Sequence, residues 1–385
     1  MRIVVAGAGI GGLTAALSLH AEGLGAEVSV IEAARELRPL GVGINLLPHA
    51  VRELTELGLG GDLARVGVAT ARNVYCDQHG NTLFTEPRGL AGGYGHPQYS
   101  VHRGRLQMLL LSAVRDRLGP HAVRTGTRLL GFEQDAGTVR VRTPDGTLDA
   151  AALIGADGLH SAVRARLHPG PDPLLWSGVR MWRGAAETGP FLDGRTMILA
   201  RGEAGAELIA YPIGPSLVNW VGLVRAGEPG PLPGDADWNR PGRTGDVLGH
   251  FGDWDLRGLD VQRLIRNSGQ VLEYPMVDRD PLPSWGEGRV TLLGDAAHPM
   301  YPVGANGASQ AIVDARVLAA ELARDRDLLG GLARYESKRR EATTAVVAAN
   351  REMQRTGDEK SPAALARVTR TYRRDTGADA MCRGR

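Results

Sequence analysis

The chain has 385 residues, 43% of them apolar, and a formal net charge of +2. That length suits two domains or one elaborate one, with apolar material for a sizeable core. A near-neutral charge without a long Lys/Arg run gives nucleic-acid binding no electrostatic support. Cys76 and Cys382 lie far apart without metal-ligand spacing, so neither a disulfide framework nor a zinc site is expected, which suits a reducing cytoplasm.

Met1–Leu19 is apolar enough to resemble a leader, but one early Arg, several glycines at meaningful spacing and no cleavage site speak against that. No stretch of about 20 apolar residues predicts a membrane span. Residues 2–6 read as a buried parallel strand, 10–22 as a helix and 27–32 as a second strand, together one βαβ unit. Between strand and helix, Gly7-Ala8-Gly9-Ile10-Gly11-Gly12 fits G-x-G-x-x-G, and Glu32 ends the second strand where a ribose-binding acid belongs, followed by Ala33. Gly7 permits the tight turn, Gly9 lets a pyrophosphate approach the backbone, Gly12 lets helix pack on strand, and the helix start at Ile10 offers free N–H groups. The motif alone does not choose between NAD and FAD, though Glu32 would repel a 2′-phosphate.

Further on, 103–118 reads as an amphipathic helix, 123–132 and 138–142 as strands, and 151–155 as another buried strand. Gly155-Ala156-Asp157-Gly158 follows it; read alone, Asp157 could be an Asx turn capping a helix. From about 171 to 274 the chain is strand-rich and broken by Gly and Pro, with a clear loop over 226–245. Val290–Leu293 is a buried strand. Gly294-Asp295-Ala296-Ala297-His298 follows it, and Asp295 could be a plain N-cap. Helices are expected over 307–324 and 331–351, and the last dozen residues look frayed.

Together the three motifs are more specific than any one. The sequence resembles the group A flavoprotein aromatic hydroxylases, the para-hydroxybenzoate hydroxylase family. The resemblance implies an α/β fold: a Rossmann-like FAD-binding domain over 1–72, 98–170 and 280–330, a strand-rich substrate domain over 73–97 and 171–279, and C-terminal helices and tail over 331–385. It implies that Asp157 lies near the pyrophosphate and takes part in NAD(P)H use, that Asp295 holds the FAD ribityl chain, and that Arg105 contacts FAD. Segments 38–45, 97–100, 274–283 and 304–310 look like a phenazine-modifying branch. Arg201–Ser216 departs from that branch, which leaves the exact substrate open.

The implied chemistry belongs to the cofactor. NADH or NADPH reduces the flavin, O2 adds to give a C4a-hydroperoxide, and an electron-rich aromatic carbon takes its distal oxygen. The substrate expected is a phenazine carboxylate, with simple or decarboxylative hydroxylation, or a salicylate-type ring. No side chain is expected to act as a catalytic group. Gly307, Ala308 and Ser309 would open a helix towards the flavin and stabilise negative charge there, with Pro302 and Gly304 bringing the loop against the ring; Asn306-Gly307 could instead be an ordinary turn. Tyr211, Met276, Trp182 and Tyr274 are the substrate-contact candidates, although aromatic residues on strands are more often core. Arg183 suits a carboxylate or an exposed ion pair. His298 reads as a structural hydrogen-bonding histidine. An NAD-dependent dehydrogenase would leave the Asp157 and Asp295 motifs unexplained, and a flavin-fold binding protein without catalysis is the third alternative.

Overall fold

The computed structural model describes residues 2–24, 27–202, 205–232, 234, 236–237, 240–325 and 327–356. The frayed tail expected for the last dozen residues and Cys382 lie outside them, as do parts of the loop expected over 226–245 and two residues of the 201–216 segment. No helix among the described residues is long and apolar enough to cross a membrane.

A six-stranded sheet organises one half of the molecule, in the order Gly286–Glu287, Val290–Leu292, Ala152–Gly155, Ile3–Ala6, Val28–Ile31, Val123–Arg124. All neighbours run parallel except the first pair. Ile3–Ala6 and Ala152–Gly155 are buried at every position, as expected of parallel strands covered on both faces. Ile3 pairs with both Ala152 and Val28, which sets the ends of these three strands side by side. The loops after Ala6, Gly155 and Leu292 carry the glycine-rich motif and the two glycine-aspartate motifs. Ligands of open α/β sheets bind at such carboxyl ends.

The helices Ile10–Ala21, Asn306–Ala323 and Leu328–Thr356 cover this sheet; Leu13, Leu17, Ile312, Leu318 and Tyr335 are all fully buried. The helix Arg103–Leu118 falls where periodicity placed it. The single strand expected over 123–132 is a correction. Val123–Arg124 joins the parallel sheet, while Gly131–Gln134 pairs with Val139–Thr143 in a separate antiparallel sheet. Gly126 lies between them at φ +71, a left-handed turn that ends the first strand.

An eight-stranded sheet builds the other half around the 13-residue strand Leu175–Glu187, flanked by Leu217–Arg225 and Val271–Asp278. It extends through Glu207–Pro212 and Thr196–Arg201 to Arg72–Asp77 and Thr82–Pro87. One face packs on the helices Thr244–Phe251 and Val261–Arg266 through Trp182, Trp220, Phe251 and Leu264, all with no exposed surface. Between the two halves lies a small sheet in which Gln98–His102 pairs with Gly43–Leu46 and Gly67–Thr70.

Candidate functional site

The N-terminal turn is shaped by contacts that only glycine permits. Gly7 sits at φ +104, and a Cβ there would lie 2.3 Å from the Ala156 carbonyl oxygen. At Gly12 a Cβ would stand 2.0 Å from the Gly7 carbonyl oxygen, and at Gly11, a residue without an assigned role in the motif, 2.8 Å from Leu293. Gly9 differs: nothing lies within 4 Å of its Cβ position, so its bareness leaves open space rather than relieving a protein clash. It precedes the helix beginning at Ile10, which no side chain caps. The first N–H groups of that helix therefore need an outside acceptor.

Glu32 takes the position its spacing implied. Its carboxylate accepts the Ala8 N–H (2.9 Å) and the Ala34 N–H (2.8 Å), which locks it against the turn. A carboxylate has about four acceptor positions, so capacity remains for a diol. Ala33 is exposed beside it.

A cavity of about 700 Å³ runs from Gly9, Ile10 and Gly11 past Ala156 and Gly158, along Asp295 and residues 302–308, to Tyr211, Tyr274 and Met276. Its volume lies within the range of roughly 300–1,000 Å³ usual for small-molecule sites. Asp295 lines this cavity and keeps exposed surface there. Burial raises its carboxyl above the ordinary value, with the charges of His298 and Arg103 opposing. Among the described residues no side chain or backbone N–H hydrogen-bonds it, which leaves a cavity-facing acceptor without a protein donor. A Cβ at Gly307 would stand 3.9 Å from Asp295 Oδ1, so the carboxylate adjoins the start of the helix Asn306–Ala323.

That helix start is strained. Gly304 (φ 68) and Ala305 (φ 61) are both left-handed, and for Ala305 this costs about 1–3 kcal/mol. The bend presents residues 304–308 along the cavity wall, with no side chain capping the helix. Pro302, Gly304, Gly307 and Ala308 thus line the cavity. Ser309 does not: it is fully buried, and its hydroxyl donates to the Ala305 carbonyl (3.2 Å) and accepts the Leu47 N–H (3.2 Å).

Trp182 needs correction as a substrate contact, while Arg105 and Asp157 are absent from the cavity wall. Arg105 is exposed and lies outside the cavity; Arg103 lines it instead. Residues two apart on a helix point to opposite sides, so a shift of two exchanges the faces. Trp182 is buried in the core behind the sheet, its indole N–H donating to Glu273 (3.2 Å), whereas its strand neighbours Met181 and Arg183 line the cavity. Alternation along the strand explains the exchange. Asp157 is engaged by its own chain. Its carboxylate accepts the Ser161 hydroxyl and the N–H groups of Ala162 (2.8 Å) and Val163 (3.3 Å), capping the helix Ala162–Leu167, the bland alternative left open by sequence. Its neighbours Ala156 and Gly158 are the ones at the cavity.

A buried charge network, unread in the sequence, fixes the Gly294 loop. Asp314, fully buried, accepts His298 Nε2 (2.5 Å), Arg339 Nε (2.7 Å) and the Gly294 N–H (3.1 Å). Burial alone would raise its carboxyl, but His298 and Arg339 outweigh that and hold it below the ordinary range. Arg164 reaches the same loop from the other motif, donating to the carbonyls of Ala296 (3.2 Å) and Ala297 (2.9 Å) while pairing with Asp172 (2.6 Å). His298 is accordingly a structural partner.

The far end of the cavity is mostly apolar, with Val179, Met181, Val221, Leu223 and Met276 on its walls, and the rings of Tyr211 and Tyr274 among them. Tyr211 lies beside Arg183 and Asn219, and burial raises its hydroxyl pKa above the usual value.

The FAD binding domain family matches residues 1–181 and 276–350. The chain is 53% identical to phenazine 1,6-dicarboxylic acid hydroxylase of Lysobacter antibioticus, covering 96% of each. It is 35% identical to 3-hydroxybenzoate 6-hydroxylase 1 of Aquipseudomonas alcaligenes, over 90% of this chain and 86% of that one. Among solved structures, Klebsiella pneumoniae HpxO complexed with FAD and uric acid superposes with a TM-score of 0.81 at 28% identity, covering 99% of this chain and 96% of the other.

Proposed function

Because the chain belongs to the FAD-dependent aromatic hydroxylases built on the FAD binding domain, we propose that it hydroxylates a phenazine carboxylate, with NAD(P)H as reductant and O2 as oxidant. The observation that carries this reading is the single cavity joining a nucleotide-type turn to an apolar, tyrosine-lined chamber. The activity printed for the Lysobacter antibioticus relative supports the substrate class. We place the enzyme in the cytoplasm, where reduced nicotinamide is supplied. We also keep residues 1–72, 98–170 and 280–330 as the cofactor domain, 73–97 and 171–279 as the substrate domain, and the remainder as C-terminal helices.

The residues present fit FAD: an uncapped helix behind Gly9, a ribose-type acid at Glu32, and an Asp295 carboxylate turned to the cavity without a protein donor. In this reading Gly7, Gly9, Ile10 and Gly12 shape the pyrophosphate turn, Glu32 and Ala33 border the adenosine ribose, and Asp295 accepts hydroxyls of the ribityl chain. The chemistry that FAD supplies when bound is two-electron reduction by NAD(P)H and delivery of one oxygen atom from O2. The rest falls to the protein. The uncapped N–H groups at 306–308 border the cavity, and with FAD bound they would stabilise negative charge on its ring system through the helix dipole. Pro302 and Gly304 keep that wall close, and Ala305 spends strain to hold it there. Met276, Tyr274 and Tyr211 position a planar ring and exclude water. Placement alone decides whether a free ring carbon is hydroxylated or a carboxylate-bearing one loses CO2, since an error of about 1 Å matters at this step.

The test is NADH oxidation by the FAD-loaded protein across a panel of phenazine carboxylates, hydroxybenzoates and salicylate. Stimulation by a phenazine carboxylate, with a hydroxylated phenazine identified by mass spectrometry, is the expected result. Salicylate active while every phenazine stays inert would reject the substrate and leave the hydroxylase.

A further inference from the structure

We propose that Arg183 is the specificity-determining residue that recognises the carboxylate of the aromatic substrate, an inference that rests on the aromatic-hydroxylase reading and names the group this site selects. Arg183 lies in the middle of the longest strand, Leu175–Glu187, on the face that lines the cavity. Its guanidinium is half-buried and stands 5.7 Å from the centre of the Tyr274 ring. One terminal nitrogen donates to the Gly43 carbonyl (2.6 Å), and the charge of the group bears on the Tyr211 hydroxyl.

What Arg183 lacks is an anion. Among the described residues no carboxylate lies within ion-pairing distance of it, and its Nε is buried without a hydrogen-bond partner. Leaving a charged donor unsatisfied in a partly apolar cavity is costly, and the cost is recovered when an anion arrives. The other cavity cations are differently placed. Arg88 pairs with Glu86 (3.3 Å) and Arg201 with Glu207 (2.8 Å). Arg103 and Arg225 are exposed, and the charge of Arg103 bears on Asp295.

The surroundings suit a planar acid. Asn219 accepts the Gly43 N–H (2.6 Å) through Oδ1, and its Nδ2 is a second buried donor without a partner beside Tyr211. A planar guanidinium matches a carboxylate geometrically, and flat aromatic and methionine walls flank it.

The test compares an acid with its neutral isostere. Phenazine-1-carboxylate and phenazine-1-carboxamide, and in parallel salicylate and salicylamide, are titrated into the FAD-loaded protein at pH 8, with binding read from flavin fluorescence. The wild type should bind at least one acid about 10-fold or more tightly than its amide, the scale of a charge-assisted hydrogen bond. R183Q and R183M should bring that ratio close to one while retaining FAD, and R183K should keep part of it. A wild type without preference, or an R183Q protein with the wild-type ratio, overturns the assignment; so does loss of FAD from R183Q with the ratio intact, which would give Arg183 to the cofactor. An Arg183-dependent preference confined to salicylate would uphold Arg183 and reject the phenazine reading.

Discussion

Replacing Asp314 by Ala should remove the support of the Gly294 loop. The carboxylate is fully buried and holds Arg339, whose side chain is only 6% exposed, together with His298 and the Gly294 N–H. Removing one member of a buried pair leaves the other charge uncompensated and costs about 3–5 kcal/mol. The orphaned Gly294 N–H adds about 1 kcal/mol or more. The expected loss is therefore about 4–6 kcal/mol, a large part of the roughly 5–15 kcal/mol by which domains are stable. Urea unfolding of protein freed of FAD reads this directly, because bound cofactor would add its own linkage. FAD affinity should fall as well, since Asp295 follows Gly294. The pairing also predicts a pH dependence. The folded carboxyl is depressed below its ordinary value of 3.8, so its stabilisation is complete above that value and is lost as pH falls through the folded value. The Asp314→Ala protein should lack this part of the acid sensitivity. An Asp314→Ala/Arg339→Met double variant should lose less than the two single variants combined, by more than about 1 kcal/mol. A single-variant loss under about 1 kcal/mol, or strict additivity, would refute the reasoning.

Glu32→Ala should weaken FAD retention by about 1–3 kcal/mol in equilibrium dialysis, since it removes a charge-assisted acceptor; full occupancy at limiting FAD would contradict the ribose assignment. Gly12→Val places a side chain against the Gly7 carbonyl oxygen and should yield little flavin-loaded protein; normal flavin content would show that the turn can shift. Trp182→Phe should lower the unfolding midpoint by creating a core void while leaving substrate affinity within about 2-fold of wild type, as measured by titration. A selective affinity loss at unchanged stability would return Trp182 to the site.

The nucleotide end was legible because its signals are local. Gly7, Gly9, Gly12 and Glu32 lie within one βαβ unit, and the spacing that defines them also defines their geometry. The helix Arg103–Leu118 was legible for the same reason, but not that Arg103 rather than Arg105 lines the cavity. Strand alternation misled at Trp182 in a similar way: composition identifies a strand, but only sheet pairing says which side meets the cavity. The break at Gly126 was invisible to propensity because the residues on both sides favour strands. The Asp314–His298–Arg339 network joins residues 16 and 25 positions from Asp314 across two helices and a loop, and no local pattern announces such a network. Asn219 at Gly43 spans 176 positions and likewise depends on the long-range register of the sheet.

The central claim is that this protein transfers an oxygen atom from O2 to a phenazine carboxylate, and isotope labelling tests it most directly. FAD-loaded enzyme, NADH and a phenazine carboxylate are incubated under ¹⁸O₂, and the product is analysed by mass spectrometry. The account predicts a hydroxylated phenazine carrying one labelled oxygen atom, formed only when both NADH and the phenazine are present. An unlabelled product, or NADH consumption that yields only hydrogen peroxide with every phenazine carboxylate tried, would contradict it.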